Sequence, residues 1–233
     1  MNDKELSLLE PEHLSKPSLE MEATAVISLI AAVLSLFLFG WIAKEMRAGD
    51  TLSFDLAVRG WVHGFASPTL TSLMIGISNM GFGILIVEAV VAFAVFMFVR
   101  WHRAAIWLSV ALVGGLALNL ALKFAFQRPR PDPFFGKAPS SYSFPSGHAL
   151  CSFCFYAVLA GLIAPRIRSH VLRVLVWMVA AILIFAIGFS RVYLGVHYPS
   201  DVIGGYLAAT MWIGTLLVLD RWRKRRRVGK TEG

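Results

Sequence analysis

Long apolar runs constrain this chain more than any other feature of its sequence. A helix needs about 20 apolar residues to cross the hydrocarbon core of a bilayer. The chain is 57% hydrophobic and only 15% charged, whereas soluble domains average about 25% charged residues. Six apolar runs lie at residues 23–43, 82–99, 104–122, 149–163, 172–189 and 202–219. The sequence therefore predicts one all-α domain, a six-transmembrane helix bundle over residues 23–220.

The two ends of the chain differ from this apolar middle. Residues 1–22 are polar and acidic and lack the basic start of a signal peptide, so we expect a cytoplasmic tail. Seven of the 22 Lys and Arg residues lie in residues 221–230, directly after the last run. Such a cluster is typical of a cytoplasmic membrane end, where it can also contact anionic lipid head groups. We therefore interpret residues 221–233 as a basic cytoplasmic tail.

The net charge of +8 does not indicate a nucleic-acid partner, because much of it is concentrated in this tail. No soluble domain is predicted that could present a groove-reading element. The same residues predict the orientation in the membrane. If the N-terminus is cytoplasmic, inside segments carry 14 Lys and Arg residues and outside segments carry eight. This bias favours a cytoplasmic location for both ends of the chain.

Three short polar stretches interrupt the apolar pattern, at residues 123–131, 145–148 and 190–201. The predicted topology brings all three to the extracytoplasmic face, although they are far apart in sequence. Their ionisable side chains are Lys123, Arg128, Arg130, His148, Arg191, His197 and Asp201. Cations and histidines at one face suit the binding of a phosphate and an attack on its phosphorus.

The cations and one turn can form the phosphate pocket. Lys123, Arg130 and Arg191 supply fixed positive charge, and the planar fork of arginine can hold two phosphate oxygens. The turn Ser146-Gly147-His148 opens the fourth run, so the free N–H groups at a helix start can cradle an anion. Gly147 lets the backbone come close to it.

The two histidines have the spacing and chemistry of a two-step reaction. His197 precedes Asp201 by four residues, so the carboxylate can meet one ring nitrogen and leave the other to attack phosphorus. His148 can protonate the leaving oxygen and then activate water. This route passes through a phosphohistidine and needs no metal or other cofactor.

These stretches resemble the type 2 phosphatidic acid phosphatase (PAP2) family, whose pattern is K-x6-RP, PSGH and SR-x5-H-x3-D. Every defining position is present here, in order, and the spans extend the resemblance over residues 23–220. The resemblance implies a PAP2 fold, related in motif to vanadium haloperoxidases, with its active site at the outer membrane face. Bacterial members dephosphorylate lipids at the outer face of the inner membrane without a divalent metal. It implies catalytic residues His197, His148 and Asp201, and phosphate-binding residues Lys123, Arg130, Ser146, Gly147, His148 and Arg191.

We therefore expect a lipid phosphatase whose partners are its lipid substrate and the bilayer, with no obligatory protein partner. From the bacterial members of the family, we expect undecaprenyl diphosphate as the first candidate substrate, then phosphatidylglycerol phosphate and phosphatidate, then a lipid A phosphate. A phosphotransferase that passes the phosphate from His197 to another lipid is the alternative. A transporter is disfavoured, because its charges would lie near the membrane midplane.

Two further charged residues and one segment lie outside the defining positions of the motif pattern. Arg128 could contact a diphosphate or a head group, but we favour a solvent-exposed side chain. Glu88 lies inside the second run, where a carboxylate is usually paired or functional, and we favour a structural partner such as Asn119. The segment 44–81 is expected to hold amphipathic helices at residues 52–65 and 69–77 on the outer interface, or a packed loop that caps the bundle.

Overall fold

The computed structural model describes residues 16–137 and 139–228, and all regular structure in that part of the chain is helical. The prediction of an all-α fold is therefore confirmed. The helices are α1 Lys16–Ala48, α2 Leu52–His63, α3 Pro68–Asn79, α4 Gly83–Phe98, α5 His102–Phe126, α6 Gly147–Ile163, α7 His170–Tyr193 and α8 Pro199–Val228, with a 3₁₀ turn Ala164–Arg166 after α6.

Five helices, α1, α5, α6, α7 and α8, are long and apolar enough to cross a membrane. Helix α4 has only 16 residues, which is short of the length that a bilayer requires. It passes the same test together with α3, from which it is bent by 41°. The six predicted spans are thus present if the bent pair counts as one. The predicted second run, residues 82–99, corresponds to α4, and α3 is the part of this span that the sequence predicts as a separate amphipathic helix.

The outward faces of these helices are covered with large apolar side chains. Phe37 of α1, Val113 of α5 and Phe185 of α7 are each about two-thirds exposed or more, at 72%, 68% and 66%. A continuous apolar surface of this kind would drive aggregation in water, whereas it is the natural contact for lipid chains. The protein is therefore a multi-span membrane protein.

Helix α6 lies at the centre of the bundle and packs against α5, α7 and α8, while α1 packs along α8. Two glycines bring α8 close to the start of α6. A Cβ atom at Gly205 would lie 2.7 Å from the carbonyl oxygen of Ser146, and one at Gly204 would lie 2.6 Å from the ring of Phe144. This close packing sets the first turn of α8 beside the PSGH turn.

The segment 44–81 contains α2 and α3, close to the two predicted amphipathic helices. Both pack against the end of α7, and α2 also contacts α8. Asp55, Arg59 and Val62 of α2 are buried. The structure therefore favours a packed cap on the bundle, while a position at the membrane interface stays a prediction.

The predicted tails are only partly covered by the structure. Helix α1 begins at Lys16, and α8 continues through Val228, so regular helix extends into both predicted tails. Residues 1–15 and 229–233 lie outside the described part of the chain. The domain limits at residues 22 and 221, and the cytoplasmic location of both tails, stay predictions.

Candidate active site

Alternating helix directions bring the three polar stretches to one end of the bundle. Lys123 lies in the last turn of α5, and Arg191 lies in the last turn of α7. Ser146 is the N-cap of α6, and Asp201 lies in the first turn of α8. The carboxyl ends of α5 and α7 therefore meet the amino ends of α6 and α8.

Lys123 and Arg130 hold the loop between α5 and α6. Nζ of Lys123 donates to the carbonyl oxygens of Tyr142 and Ser143, the latter at 3.4 Å. Arg130 donates from Nε to the carbonyl oxygen of Ser141 at 2.7 Å, and from one terminal nitrogen to that of Val196 at 2.8 Å. These bonds join the first polar stretch to the third.

His197 is almost completely buried, at 1% exposure, and both ring nitrogens have partners. Nδ1 lies 3.2 Å from Oδ2 of Asp201, and Nε2 lies 2.9 Å from a terminal nitrogen of Arg130. A guanidinium group can only donate, so Nε2 accepts and Nδ1 carries the proton. The lone pair of Nε2 therefore points to the side of the ring where Arg130 lies.

Burial keeps this ring neutral. Removal from water lowers the pKa of His197 to about 3, and the nearby Arg130 and Arg191 act in the same direction. The hydrogen bond and charge of Asp201 oppose that shift without overcoming it. Near neutral pH the imidazole is therefore uncharged, which is the form that can attack phosphorus.

Ser143 completes the surroundings of Asp201. Its hydroxyl donates to Oδ2 of Asp201 and lies 3.3 Å from Nδ1 of His197, and the backbone N–H of Tyr198 donates to the same carboxylate oxygen at 2.9 Å. Ser143 is not among the site residues that the sequence motifs predict. It lies two residues before the PSGH turn, and nothing in its local spacing indicates that it reaches residue 201.

Arg191 and His148 belong to the same cluster, since each interacts electrostatically with a neighbouring site residue. Arg191 is 7% exposed and donates from a terminal nitrogen to Ser78. Its Nε has no hydrogen-bond partner among the described residues. A buried polar group without a partner costs about 1–3 kcal/mol, so a phosphate oxygen is a suitable acceptor. His148 stacks on Phe82, with ring centroids 5.7 Å apart, and interacts electrostatically with Arg191 and His197.

The start of α6 has the features of an anion cradle. The hydroxyl of Ser146 caps the helix by accepting from the N–H of Ala149 at 3.5 Å. The N–H of Ser146 donates to the carbonyl oxygen of Asp201 at 2.9 Å. A Cβ atom at Gly147 would lie 3.0 Å from the side-chain oxygen of Asn119. A larger residue there would displace Asn119, whose amide donates to the carbonyl oxygen of Pro145 at 3.3 Å.

The interpretation of Arg128 as a solvent-exposed side chain is wrong. Arg128 is 8% exposed and forms two ion pairs, one to Asp201 at 2.7 Å and one to Asp55 at 2.8 Å. The error arises because Asp55 comes from α2, more than 70 positions away in sequence. In the sequence, the only indication of this ion pair is the presence of Asp55 on an otherwise largely apolar amphipathic helix.

Glu88 has a different partner from the one suggested by the sequence. The hydroxyl of Tyr156 donates to its Oε2 at 2.7 Å, while Asn119 is bonded to Pro145. The partner is therefore a tyrosine of α6 rather than an amide of α5. As for metals, the described residues contain no group of three His, Cys, Asp or Glu side chains that could hold one.

Similarity to known proteins identifies the protein family. The PAP2 superfamily profile matches residues 104–225. Phosphatidylglycerophosphatase B of Bacillus subtilis is 34% identical over 178 residues, which cover 74% of this chain and 86% of that protein. Undecaprenyl-diphosphatase of Sulfolobus acidocaldarius is 28% identical over 199 residues, which cover 83% and 88%. The chain therefore belongs to the PAP2 superfamily.

A solved structure supports the same conclusion. The crystal structure of a transmembrane PAP2 type phosphatidylglycerolphosphate phosphatase from Bacillus subtilis matches with a TM-score of 0.71 and 28% identity. The match covers 84% of this chain and 96% of that one. With its named relatives all phosphatases, this protein is a membrane phosphatase of the PAP2 type.

One glycine of the His197 loop gives a stability prediction. Gly195 has a φ of +76°, and a Cβ atom there would lie 2.5 Å from the backbone nitrogen of Phe134. We expect Gly195→Ala to add a backbone clash to the left-handed strain, which alone costs about 1–2 kcal/mol. Gly49→Ala is the matched control, because Gly49 has a φ of +89° and open space around it. Thermal unfolding in detergent should show the larger loss for Gly195→Ala, and equal losses would contradict the clash.

Proposed function

We propose that this protein hydrolyses a phosphate monoester or diphosphate of a membrane lipid at the outer face of a bacterial inner membrane. The reaction passes through a phosphohistidine at His197 and needs no metal. The observation that carries the proposal is the neutral, buried ring of His197, with Nδ1 held by Asp201 and Nε2 beside Arg130. The distribution of basic residues supports the outer location of the site and the cytoplasmic location of both termini.

In the first step, Nε2 of His197 attacks the terminal phosphorus, and the bond from that phosphorus to the leaving oxygen breaks. In a monoester the leaving oxygen is the lipid alcohol oxygen, and in a diphosphate it is the bridging oxygen, which leaves as part of the lipid monophosphate. His148 gives its proton to that oxygen as it leaves. The ring of His197 then carries the phosphoryl group on Nε2 and a proton on Nδ1, so it is positively charged. Asp201 stabilises that charge through its contact with Nδ1.

The cations act on the phosphoryl group itself. A phosphate ester resists attack because its oxygens are negative, and fixed positive groups are most effective where charge is spread in the transition state. Lys123, Arg130 and Arg191 supply this charge, and the amino end of α6 adds its N–H groups. The unpartnered Nε of Arg191 supports a direct bond to a phosphate oxygen.

In the second step, water attacks the phosphohistidine. His148, which has lost its proton, takes one from the water as the new P–O bond forms and the N–P bond breaks. Inorganic phosphate leaves, and His197 returns to the neutral form with its proton on Nδ1. Both histidines therefore regain their starting protonation.

The lipid is the least determined part of the proposal. The predicted site residues are suited to the phosphate group and do not distinguish one lipid from another. The names of the two relatives also specify different lipid phosphates. We propose undecaprenyl diphosphate first, then phosphatidylglycerol phosphate and phosphatidate, then a lipid A phosphate. A panel of these lipids with purified protein would rank them by kcat/KM.

We expect purified protein to release inorganic phosphate from this panel in the presence of EDTA, and to be inhibited by vanadate. The reason is that Lys123, Arg130 and Arg191 supply the charge that a metal ion would otherwise provide, and that vanadate mimics the transferring phosphate. A colorimetric phosphate assay measures both effects. A strict requirement for Mg²⁺ would contradict the mechanism.

The same assay separates hydrolysis from lipid-to-lipid phosphate transfer, which uses the same intermediate. Release of inorganic phosphate without an acceptor lipid excludes an obligate transferase. Transfer of the label to a lipid acceptor, with no phosphate released, would replace the hydrolase in the proposal.

A further inference from the structure

Arg128 lies behind the His197–Asp201 pair and bridges two buried carboxylates. One terminal nitrogen donates to Oδ1 of Asp201 at 2.7 Å, and the other donates to Oδ2 of Asp55 at 2.8 Å. The side chain of Arg128 is 9% exposed, and both carboxylates are fully buried at 0%. A buried carboxylate is stable only with a charged or hydrogen-bonding partner. Arg128 serves as that partner for both.

The two terminal nitrogens of Arg128 are directed into the protein rather than toward a ligand. Besides the two carboxylates, its terminal nitrogens donate to the hydroxyls of Ser200 at 2.8 Å and Thr51 at 3.4 Å. These four contacts match the four N–H bonds of the two nitrogens. The guanidinium plane also lies 4.1 Å above the ring of Tyr198.

Asp55 connects this arginine to the start of α8. Its Oδ1 accepts from the backbone N–H of Ser200 at 2.9 Å, and its Oδ2 accepts from the hydroxyl of Ser200 at 2.7 Å. The first N–H groups of a helix need such acceptors, so Asp55 acts as a cap supplied by another helix. Ser200 is adjacent to Asp201. Helix α2 therefore fixes the turn from which Asp201 projects.

We propose that Arg128 and Asp55 are positioning residues that keep the carboxylate of Asp201 oriented toward Nδ1 of His197. This inference rests on the proposed phosphohistidine at His197. With Oδ1 held by Arg128, Oδ2 faces Nδ1 of His197. Nδ1 then keeps the proton and Nε2 keeps the lone pair that attacks phosphorus. Ser143 and the N–H of Tyr198 hold Oδ2, while Arg128 donates to Oδ1, so the carboxylate without Arg128 is held at only one of its two oxygens.

The first experiment compares Arg128→Gln with the unchanged protein on a lipid monophosphate and a lipid diphosphate. We expect kcat to fall about 10- to 100-fold with KM changed less than about 3-fold, because the lost interaction supports the transition state rather than binding. The fall should be equal for both substrates. Arg103→Gln is the control, since Arg103 is exposed and pairs with Asp220 at 3.5 Å, at the other end of the bundle. A rise in KM confined to the diphosphate would overturn the proposal, because it would show that Arg128 binds substrate.

The second experiment adds Arg128→Gln to Asp201→Asn. If Arg128 acts through Asp201, the double variant should be no slower than Asp201→Asn alone, because interacting residues are not additive. A further fall equal to that of Arg128→Gln alone would mean an independent role and would overturn the proposal.

The third experiment needs no turnover. In ¹⁵N-histidine NMR spectra of the free protein, assigned by comparison with His197→Ala, we expect His197 to carry its proton on Nδ1. Arg128→Gln and Asp55→Asn should shift it toward a mixture of both tautomers. Unchanged spectra would overturn the positioning role, even if the proposed chemistry at His197 stood. Failure to detect a phosphohistidine in the unchanged protein would reject the chemistry and leave this measurement valid.

Arg128→Lys covers the case in which Arg128→Gln does not fold. Lysine keeps the charge, but a single ammonium group cannot span two carboxylates as a guanidinium does. We therefore expect a folded protein with an intermediate kcat and a partly shifted tautomer. Full activity with an unchanged spectrum would show that the bridge is unnecessary.

Discussion

His197→Ala should abolish phosphate release, with kcat lowered by about 10⁴-fold or more, because the variant lacks the nucleophile and no covalent intermediate can form. The measurement is inorganic phosphate release together with covalent labelling by a lipid diphosphate that carries ³²P in its terminal phosphate. His170→Ala is the control, because His170 is exposed at the start of α7 and away from the site. Labelling that survives in His197→Ala would place the phosphoryl group on another residue.

His148→Ala tests the other half of the same prediction. A diphosphate has a phosphate as its leaving group, which departs without needing a proton. The first step should therefore survive the loss of His148, while the attack of water should be slow. We expect the ³²P label to accumulate on the protein in this variant and to show the acid lability of a phosphohistidine. Rapid hydrolysis of the label would assign the activation of water to another group.

Asp201→Asn should lower kcat by about 10²- to 10⁴-fold while leaving KM within a few-fold, because the carboxylate orients His197 and stabilises its charged ring. An amide has nearly the same shape, so packing is preserved. It removes the negative charge that Arg128, Ser143 and the N–H of Tyr198 all contact. Steady-state kinetics on one lipid phosphate measure the effect.

Asp220→Asn is the matched control for that substitution. Asp220 lies on the same helix but near its other end, where it pairs with Lys224 at 2.7 Å and Arg103 at 3.5 Å. We expect its kcat and KM to match those of the unchanged protein. If Asp201→Asn instead raised KM and left kcat intact, Asp201 would contribute to binding and its orienting role would be wrong.

Much of the fold was predictable because membrane spans are a local property. A run of apolar residues identifies a spanning helix without reference to the rest of the chain. Five spans were recovered in this way, and the sixth only as a bent pair of α3 and α4. The sequence separates these two helices correctly, at residues 69–77 and 82–99, but it assigns the first to the interface and does not predict that it pairs with α4 in one span.

The sequence motifs identified the candidate site residues, and their relative positions followed from counting spans. Lys123, His148, Arg191 and Asp201 each stand at a helix end, so the alternation of helices is enough to bring them to one face. Which of their nitrogens and oxygens meet was not predictable. The contact between Nε2 of His197 and Arg130 depends on how a proline-rich loop folds back.

The sequence by itself determined the membrane class, the helix content and the motifs proposed to bind phosphate, because each depends on neighbours within about one helix length. Only the tertiary structure decided the contacts of Arg128, Asp55, Ser143 and Tyr156. Their partners lie on other helices or loops, and the contacts form only when α2 packs on the bundle, the loop before α6 closes over α8, and α4 packs beside α6. A buried ion pair depends on a water-excluded environment that tertiary packing creates. Short-range sequence patterns do not predict where such an environment forms.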